Sequence, residues 1–182
     1  MKINIIGPSC VGKTTMARMI SKNKGWPHFD LDLEFIDRDY LAETKIFRYR
    51  EKKDYSLRIK KILESKNWII EGVYAVEEVF KQSDVIIFIN LPIWVPLRWQ
   101  WKRYFTDKSQ RDTYGFLNNL GLTKEIISQY WHSYSKKDVE KETVNYTKKY
   151  QDMLKKYNKK LKVAFDVESA KKIIETGVFT HI

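Results

Sequence analysis

The amino-acid sequence predicts an α/β domain in which helices cover both faces of a parallel sheet. Short apolar stretches that suit buried strands alternate with segments whose apolar residues recur at helical spacing. Residues 84–90 form a continuous β-branched stretch, which is typical of a strand buried on both faces. A glycine-containing stretch, residues 7–14, joins the first predicted strand to the first predicted helix. Together these observations predict a doubly wound domain, in which ligands bind at the carboxyl ends of the strands.

The elements follow one another in a regular order. The first strand comprises residues 2–6, and the helix after the loop ends at Gly25 and Pro27. Four further stretches are predicted to be strands: residues 28–30, 67–72, 84–90 and 161–165. Helices are predicted within residues 33–66, 93–111, 123–160 and 168–175.

We predict a single domain over residues 1–182, with two segments set apart by their composition. Residues 33–66 form a basic helical lobe that is expected to bind the substrate. Residues 93–122 form a lid-like segment, in which aromatic and basic residues are interleaved. No internal repeat, low-complexity tract or flexible linker separates these segments from the rest.

The glycine-containing stretch fits G-x-x-x-x-G-K-[ST], the phosphate-binding loop pattern, and lies between a predicted strand and a helix as that pattern requires. Its glycines let the backbone curl so that N–H groups converge, and the helix start adds partial positive charge. Lys13 is expected to reach the terminal phosphates of a nucleotide, and the Thr14 hydroxyl to hold Mg²⁺. The predicted nucleotide-binding residues are Gly7, Ser9, Cys10, Val11, Gly12, Lys13, Thr14 and Thr15.

Carboxylates follow two of the predicted strands. Asp30 and Asp32 lie at the end of the second strand, and Glu71, followed by Gly72, lies at the end of the third. Right-handed crossovers bring these strand ends beside the loop. Glu71 is therefore expected to lie in the Mg²⁺ shell through a water, while Asp30 or Asp32 takes the proton of an acceptor. Gly72 allows the backbone to approach a ligand closely.

Arginines in the two basic segments are candidate phosphate ligands, because a guanidinium can grip a phosphate with two parallel hydrogen bonds. Arg38 and Arg48 are the candidates for substrate contacts in the helical lobe. Arg98 and Arg103 are expected to close over the transferring phosphoryl group, with Arg111 as a further substrate contact. Three interpretations of residues 93–111 stay open: a lid over the nucleotide, a surface that stacks on single-stranded bases, or an amphipathic helix with solvated cations.

The composition limits the class of protein. The net charge of +11 suits binding of polyanions, and it equally suits a site for two phosphorylated substrates. No apolar run approaches the roughly 20 residues of a membrane-spanning helix. The single cysteine, Cys10, excludes an internal disulfide framework and suits a reducing cytoplasm, where we expect the protein to be located. We interpret Cys10 as a small packing residue rather than a reactive thiol.

The motifs resemble the nucleoside monophosphate kinase group of phosphate-loop proteins, which is related to adenylate kinase, and within it most closely the DNA topology modulation proteins. The resemblance is carried, within residues 2–111, by I-I-G-P-S-C-V-G-K-T-T, P-H-F-D-L-D, W-I-I-E-G-V-Y, D-V-I-I-F-I-N-L-P and R-W-Q-W-K-R. It implies a three-layer phosphate-loop NTPase fold with a five-stranded parallel sheet of order 2-3-1-4-5, and the use of ATP and Mg²⁺. Glu71 falls where adenylate kinases have an aspartate. Asp30 and Asp32 are similar to the strand-two acids of shikimate-kinase-like enzymes.

The leading hypothesis is an ATP-dependent kinase that phosphorylates a small, nucleotide-like acceptor. One alternative is a nucleic-acid-associated NTPase that uses the charge of +11, and another is a regulatory nucleotide-binding module without turnover. The two aspartates beside the loop favour the kinase, because a sensor has no need of an acceptor base. The expected partners are ATP and a small-molecule acceptor, with nucleic acid less favoured and no membrane. The acceptor and the oligomeric state are left open.

Overall fold

The computed structural model describes residues 1–35, 49–132, 148–166, 168–169 and 172–173, and it contains a five-stranded parallel sheet. The strands are β1 (Lys2–Ile6), β2 (His28–Asp30), β3 (Trp68–Gly72), β4 (Val85–Ile89) and β5 (Leu161–Ala164). They lie in the order β2-β3-β1-β4-β5, and each neighbouring pair is parallel. The predicted architecture and strand order are confirmed.

Helices connect the strands. They are α1 (Lys13–Lys24), α2 (Leu31–Glu34), α3 (Lys52–Leu63), α4 (Glu77–Gln82), α5 (Trp94–Thr106), α6 (Lys108–His132) and α7 (Lys148–Lys156). A 3₁₀ turn, Asn158–Lys160, leads into β5. The sequence pattern did not reveal α4. The predicted closing helix over residues 168–175 is helical at 168–169 and 172–173, and its other positions lie outside the described residues.

Side chains of neighbouring strand residues build a separate core on each face of the sheet. Ile5 is fully buried in the core that includes Met16 of α1. The next residue, Ile6, belongs to the core on the opposite face, where it packs with Phe80 of α4 and Met153 of α7. Helices therefore cover both faces of the sheet, which gives three layers. No helix in the described ranges has both the length and the apolar character needed to cross a bilayer.

A buried polar contact joins α5 to α6. The side chain of Gln100 is 3% exposed, and its Nε2 atom donates to the Asn119 carbonyl oxygen at 2.7 Å and to Thr123 Oγ1 at 3.0 Å. The predicted end of the lid-like segment at residue 122 falls between these two contacts. α6 runs without a break through that point to His132, and Gln100 contacts it on both sides.

Candidate functional site

The loop at residues 7–14 has the backbone shape of an anion-binding site. Positive φ angles occur at Gly7 (155°), Cys10 (61°) and Gly12 (88°). A Cβ atom on Gly7 would lie 2.6 Å from the carbonyl oxygen of Ile89, so no larger residue fits there. Alternation of right- and left-handed conformations turns successive N–H groups into one concavity, which is suited to phosphate oxygens.

Lys13 lies inside this loop. It is 7% exposed, and its Nζ atom donates to the carbonyl oxygen of Pro8 at 2.9 Å. An ammonium group has three donors, so a phosphate can be bound in addition to this carbonyl. Of the other predicted loop residues, Val11 is buried and Thr15 is exposed at the start of α1.

Thr14 and Glu71 are joined directly. The Thr14 hydroxyl donates to Glu71 Oε1 at 2.6 Å, and the Glu71 side chain is 2% exposed. His28 Nε2 lies 3.6 Å from the same oxygen, which is too long for a hydrogen bond but close enough for an electrostatic contact. Burial would raise the pKa of the Glu71 carboxyl, but the contacts with His28 and Thr14 and the charge of Lys13 outweigh it and lower that pKa. Glu71 is therefore held as a carboxylate.

The two aspartates have different hydrogen-bond partners. Asp30 caps α2, because its Oδ1 atom accepts from Leu33 N at 3.1 Å. Burial and the neighbouring Glu71 charge raise the pKa of the Asp30 carboxyl. Asp32 Oδ1 accepts from Val73 N at 2.8 Å. Burial raises the pKa of Asp32 to about 6, although Lys13 and the Val73 N–H act in the opposite direction.

Gly72 allows β3 to approach α2. A Cβ atom at this position would lie 3.0 Å from Asp32 Oδ1 and 3.0 Å from Leu31 Cβ. The Asp32 carboxylate thus lies against Gly72. The predicted close approach of the Gly72 backbone to a ligand stays a prediction. The register of the sheet places Asp30 beside Glu71 and Ile6 beside Gly72, so the loop and the three carboxylates share one edge.

The oxygen donors at this edge suit Mg²⁺. In the part of the chain that the structure describes, no group of three or more His, Cys, Asp or Glu side chains forms a cage for a metal ion. Mg²⁺ does not require such a cage, because it retains several waters and is bound through one or two protein oxygens and substrate phosphates. Thr14 gives its hydrogen to Glu71, so the lone pairs of its oxygen are free to face a cation.

One face of α5 lies against the loop. Trp99 has a ring atom 3.5 Å from the position of a Cβ atom on Gly12. Arg103 is four residues later and hence on the same side of the helix. Its positive charge acts electrostatically on the thiol of Cys10 in the loop. Burial raises the pKa of the Cys10 thiol, and the positive charges of Arg103 and Lys13 oppose that rise. Arg103 is therefore close enough to the loop for its charge to act on Cys10.

Among the other predicted arginines, the structure describes the side chain of Arg98 alone. Arg98 is exposed on the adjoining face of α5. Arg38 and Arg48 lie outside the described residues, and only the backbone of Arg111, within α6, is described. Their predicted contacts with phosphate stay predictions.

Two residues at the site were not assigned by the sequence. Gln129 of α6 bonds to Ser9 with both ends of its amide. No local pattern reveals this contact, since the two residues are 120 positions apart. His28 had a weak signal, because residues two apart in a strand share a face and Asp30 follows it at that spacing.

The comparisons with known proteins are consistent with this geometry. No protein-family model matches the sequence. Shikimate kinase from Aquifex aeolicus (strain VF5) is 30% identical over 103 residues, which are 50% of this chain and 61% of that protein. The chain thus spans less than two thirds of this relative.

Two solved structures have the same overall fold. Shikimate kinase from Acinetobacter baumannii in complex with shikimate superposes with a TM-score of 0.50 at 16% identity, covering 97% of this chain and 90% of that one. A protein of uncharacterized function from Eubacterium ventriosum ATCC 27560 gives a TM-score of 0.50 at 16% identity, with coverages of 98% and 97%. At this identity the likeness concerns the fold alone. The chain has the three-layer α/β fold of phosphate-loop kinases, as predicted.

Proposed function

We propose that this chain is an ATP- and Mg²⁺-dependent kinase that transfers the terminal phosphoryl group of ATP to a hydroxyl of a small, nucleotide-like acceptor. One observation carries the proposal: a phosphate loop and three carboxylates with different pKa values share one edge of the sheet. A module that only bound a nucleotide would not need Asp32, a partly buried acid with a pKa of about 6 beside the phosphate site. The similarity to a shikimate kinase supports the proposal.

The donor side uses the loop. Lys13 binds the terminal phosphates of ATP while the loop N–H groups surround the others. Thr14 would hold Mg²⁺ directly, and Glu71 would hold it through a water. When bound, the metal ion neutralises charge that develops on the phosphate oxygens.

The acceptor side uses Asp32. The acceptor oxygen forms a bond to the γ-phosphorus as the bond from that phosphorus to the β–γ bridging oxygen breaks, and ADP leaves with the bond electrons. The acceptor proton passes to Asp32, whose pKa of about 6 leaves it mostly ionised at neutral pH and still basic enough to accept a proton. Asp30, which caps α2 and lies beside Glu71, would help to hold a metal ion through its bound waters.

The basic segment supplies further positive charge. We propose that Arg103, whose charge acts to lower the pKa of the Cys10 thiol in the loop, stabilises the phosphoryl group in transfer. Residues 98–111 close over bound substrates and keep water from the γ-phosphate, with Arg111 as a further phosphate contact and a smaller contribution from the exposed Arg98. Arg38 and Arg48 contact the acceptor from the helical lobe at residues 33–66.

A group of aromatic rings beside the acids supports a nucleotide-like acceptor. The rings of Phe35 and Tyr55 are 4.6 Å apart, and those of Phe35 and Tyr74 are 4.9 Å apart. Tyr74 lies two residues beyond Gly72. Burial raises the pKa of the Tyr74 hydroxyl, as do Tyr49 and the charge of Asp32. Half-buried rings next to the acceptor base suit a flat, π-rich ligand such as a nucleobase.

Acceptor-dependent release of ADP tests the proposal. The acceptor panel consists of nucleosides, nucleoside monophosphates and hydroxylated acids, with shikimate among them. We expect a nucleoside or nucleotide to accelerate ADP release in the parent protein and to have no effect in Lys13→Ala. If every acceptor leaves ADP release unchanged while ATP still binds, the chain is a regulatory nucleotide-binding module instead.

A second function, that of a nucleic-acid-associated NTPase, is favoured by one surface. Phe105 and Phe116 are 62% and 55% exposed, and their rings lie 5.8 Å and 6.2 Å from the ring of Trp101. Exposed rings beside the cation of Lys102 can stack on bases. This function would agree with the finer resemblance to DNA topology modulation proteins. It requires micromolar or tighter binding of DNA at physiological salt, which the paired change Phe105→Ala and Phe116→Ala would abolish.

A further inference from the structure

Gln129 on α6 is bound to the phosphate loop through both ends of its side-chain amide. Its Oε1 atom accepts from the backbone N–H of Ser9 at 2.8 Å, and its Nε2 atom donates to Ser9 Oγ at 3.1 Å. Nε2 also donates to Glu125 Oε1, one helical turn earlier, at 2.9 Å. A carboxylate accepts hydrogen bonds and cannot donate them, so Glu125 fixes which end of the amide faces the Ser9 N–H.

Ser9 occupies a sensitive position in the loop. The residue after it, Cys10, has a φ of 61°, and it is the non-glycine residue with positive φ within the described ranges. A side chain in this left-handed region costs free energy, so the conformation persists only where the surroundings hold it. Gln129 supplies two such bonds immediately before the strained residue.

The same helix connects the loop to α5. α6 is tied to Gln100 of α5 through Asn119 and Thr123, and to the loop through Gln129. Trp99 and Arg103 of α5 lie against the loop. The loop and this face of α5 are thus attached to one helix at two separate points.

From this geometry we infer that Gln129 is a positioning residue for the donor phosphates. It holds the first half of the loop in its anion-binding shape, so that the N–H groups leading into α1 converge before the nucleotide arrives. The inference rests on the proposed function only in that the anion is the phosphate chain of ATP. Preorganisation of this kind lowers the cost of binding and leaves the chemical step unchanged.

The test uses Gln129→Leu, which keeps the size of the side chain and a high helix propensity while removing its hydrogen bonds. Lys124→Leu, at an exposed position of the same helix, is the matched control. We expect Gln129→Leu to weaken ATP binding about 5- to 10-fold by calorimetry, as loss of one or two hydrogen bonds implies, and Lys124→Leu to bind within about twofold of the parent.

Two further readouts separate positioning from general stability. In the free protein, the amide of Ser9 is expected to exchange its hydrogen about tenfold faster in Gln129→Leu than in the parent. In turnover, KM for ATP should rise with kcat within about twofold, as expected when binding is uniformly weakened. A fall in kcat with KM unchanged would overturn the inference.

Other values of the ATP affinity would overturn either the inference or the proposed function. Unchanged ATP affinity would overturn the inference, and tighter binding would show that Gln129 blocks the site instead of shaping it. Failure of the parent protein itself to bind ATP would overturn the proposed function. The exchange rate of Ser9 in the free protein would still decide whether Gln129 holds the loop.

Discussion

The acid edge of the sheet (Asp30, Asp32 and Glu71) and the loop-facing side of α5 (Trp99 and Arg103) supply opposite charges to the same site, but they are held differently. Each acid accepts a hydrogen bond: Asp30 from Leu33 N, Asp32 from Val73 N and Glu71 from the Thr14 hydroxyl. Arg103 is exposed on a helix surface. The acids are therefore fixed before any substrate binds, whereas the arginine is free to reorient toward an anion.

The comparison also separates the roles of the acids. Glu71 has a lowered pKa and lies against Thr14, which suits a permanent carboxylate near a metal ion. Asp32 has a pKa of about 6, which suits a group that takes up a proton and releases it. Environments that drive neighbouring carboxyl groups apart in pKa indicate a division between charge stabilisation and proton transfer.

The largest expected effect comes from Lys13, whose charge acts on all three acids and on Cys10. Lys13→Ala should lower ATP turnover by about 30- to 1000-fold, since a charge-assisted phosphate contact contributes about 2–4 kcal/mol in the transition state. Circular dichroism should be unchanged. Lys22→Ala, an exposed lysine of the same helix, is the control. Equal turnover in Lys13→Ala and the parent would remove the phosphate-site assignment.

Asp32→Asn should lower turnover by about 100-fold, because the acceptor loses its base. It should also stabilise the fold at neutral pH by on the order of 1–2 kcal/mol. The oxygen of the new side chain can still accept from Val73 N. Thermal unfolding and steady-state turnover check the two effects.

The raised pKa of Asp32 determines how its contribution to the free energy of unfolding changes with pH. Below the ordinary pKa of 3.8, the Asp32 carboxyl is protonated in both the folded and the unfolded chain. Between 3.8 and about 6 the unfolded chain loses this proton first, so the contribution of Asp32 to stability falls as the pH rises through that window. Asp32→Asn lacks this fall, and Asp54→Asn, at an exposed position of α3, should retain it. If Asp32→Asn were less stable than the parent at pH 7, the raised pKa of Asp32 would be contradicted.

The phosphate loop and the acid edge of the sheet were predictable from the sequence, and the loop-facing side of α5 was not. The loop pattern and the acids at strand ends have positions set by the order of the sheet, so Lys13, Asp32 and Glu71 could be placed together. Arg98 and Arg103 were predicted as a pair. They lie on different sides of α5 because they are five residues apart in a helix of about 3.6 residues per turn. Packing of Trp99 and burial of Gln100 decide which of these sides faces the loop. Gln129 was missed because a contact across 120 residues leaves no local pattern.

A smaller effect should distinguish the two arginines. Arg103→Ala is expected to lower kcat/KM about 10-fold, whereas Arg98→Ala should stay within about twofold of the parent. The reason is that α5 presents Arg103 to the loop, where its charge acts on Cys10. Hydrogen exchange over residues 98–111, with and without a non-hydrolysable ATP analogue and Mg²⁺, checks closure of the segment. An equal loss of kcat/KM in both variants would show that the segment acts through its overall positive charge and not through Arg103 in particular.

The smallest expected effect concerns His28, which lies on β2 next to Glu71 of β3. Its Nε2 atom is 3.6 Å from Glu71 Oε1, and His28→Leu removes this contact while Thr14 and Lys13 still favour the carboxylate. We expect a loss of about 0.5–1 kcal/mol in the free energy of unfolding at pH 7 and a rise of about twofold in the Mg²⁺ concentration at half-maximal turnover.

The pH profile separates this effect from a simple packing defect. The folded pKa of Glu71 lies below its ordinary value of 4.5, so its stabilising contribution is present above that pH and is lost as the pH falls through the folded value. The stability difference between parent and His28→Leu should therefore shrink as the pH falls below 4.5 and through the folded pKa of Glu71. His28→Gln retains a donor on the same strand and should recover part of the Mg²⁺ affinity. A stability difference that stays constant from pH 7 to pH 3 would show that His28 acts through packing, and that the pKa of Glu71 depends on Thr14 and Lys13 alone.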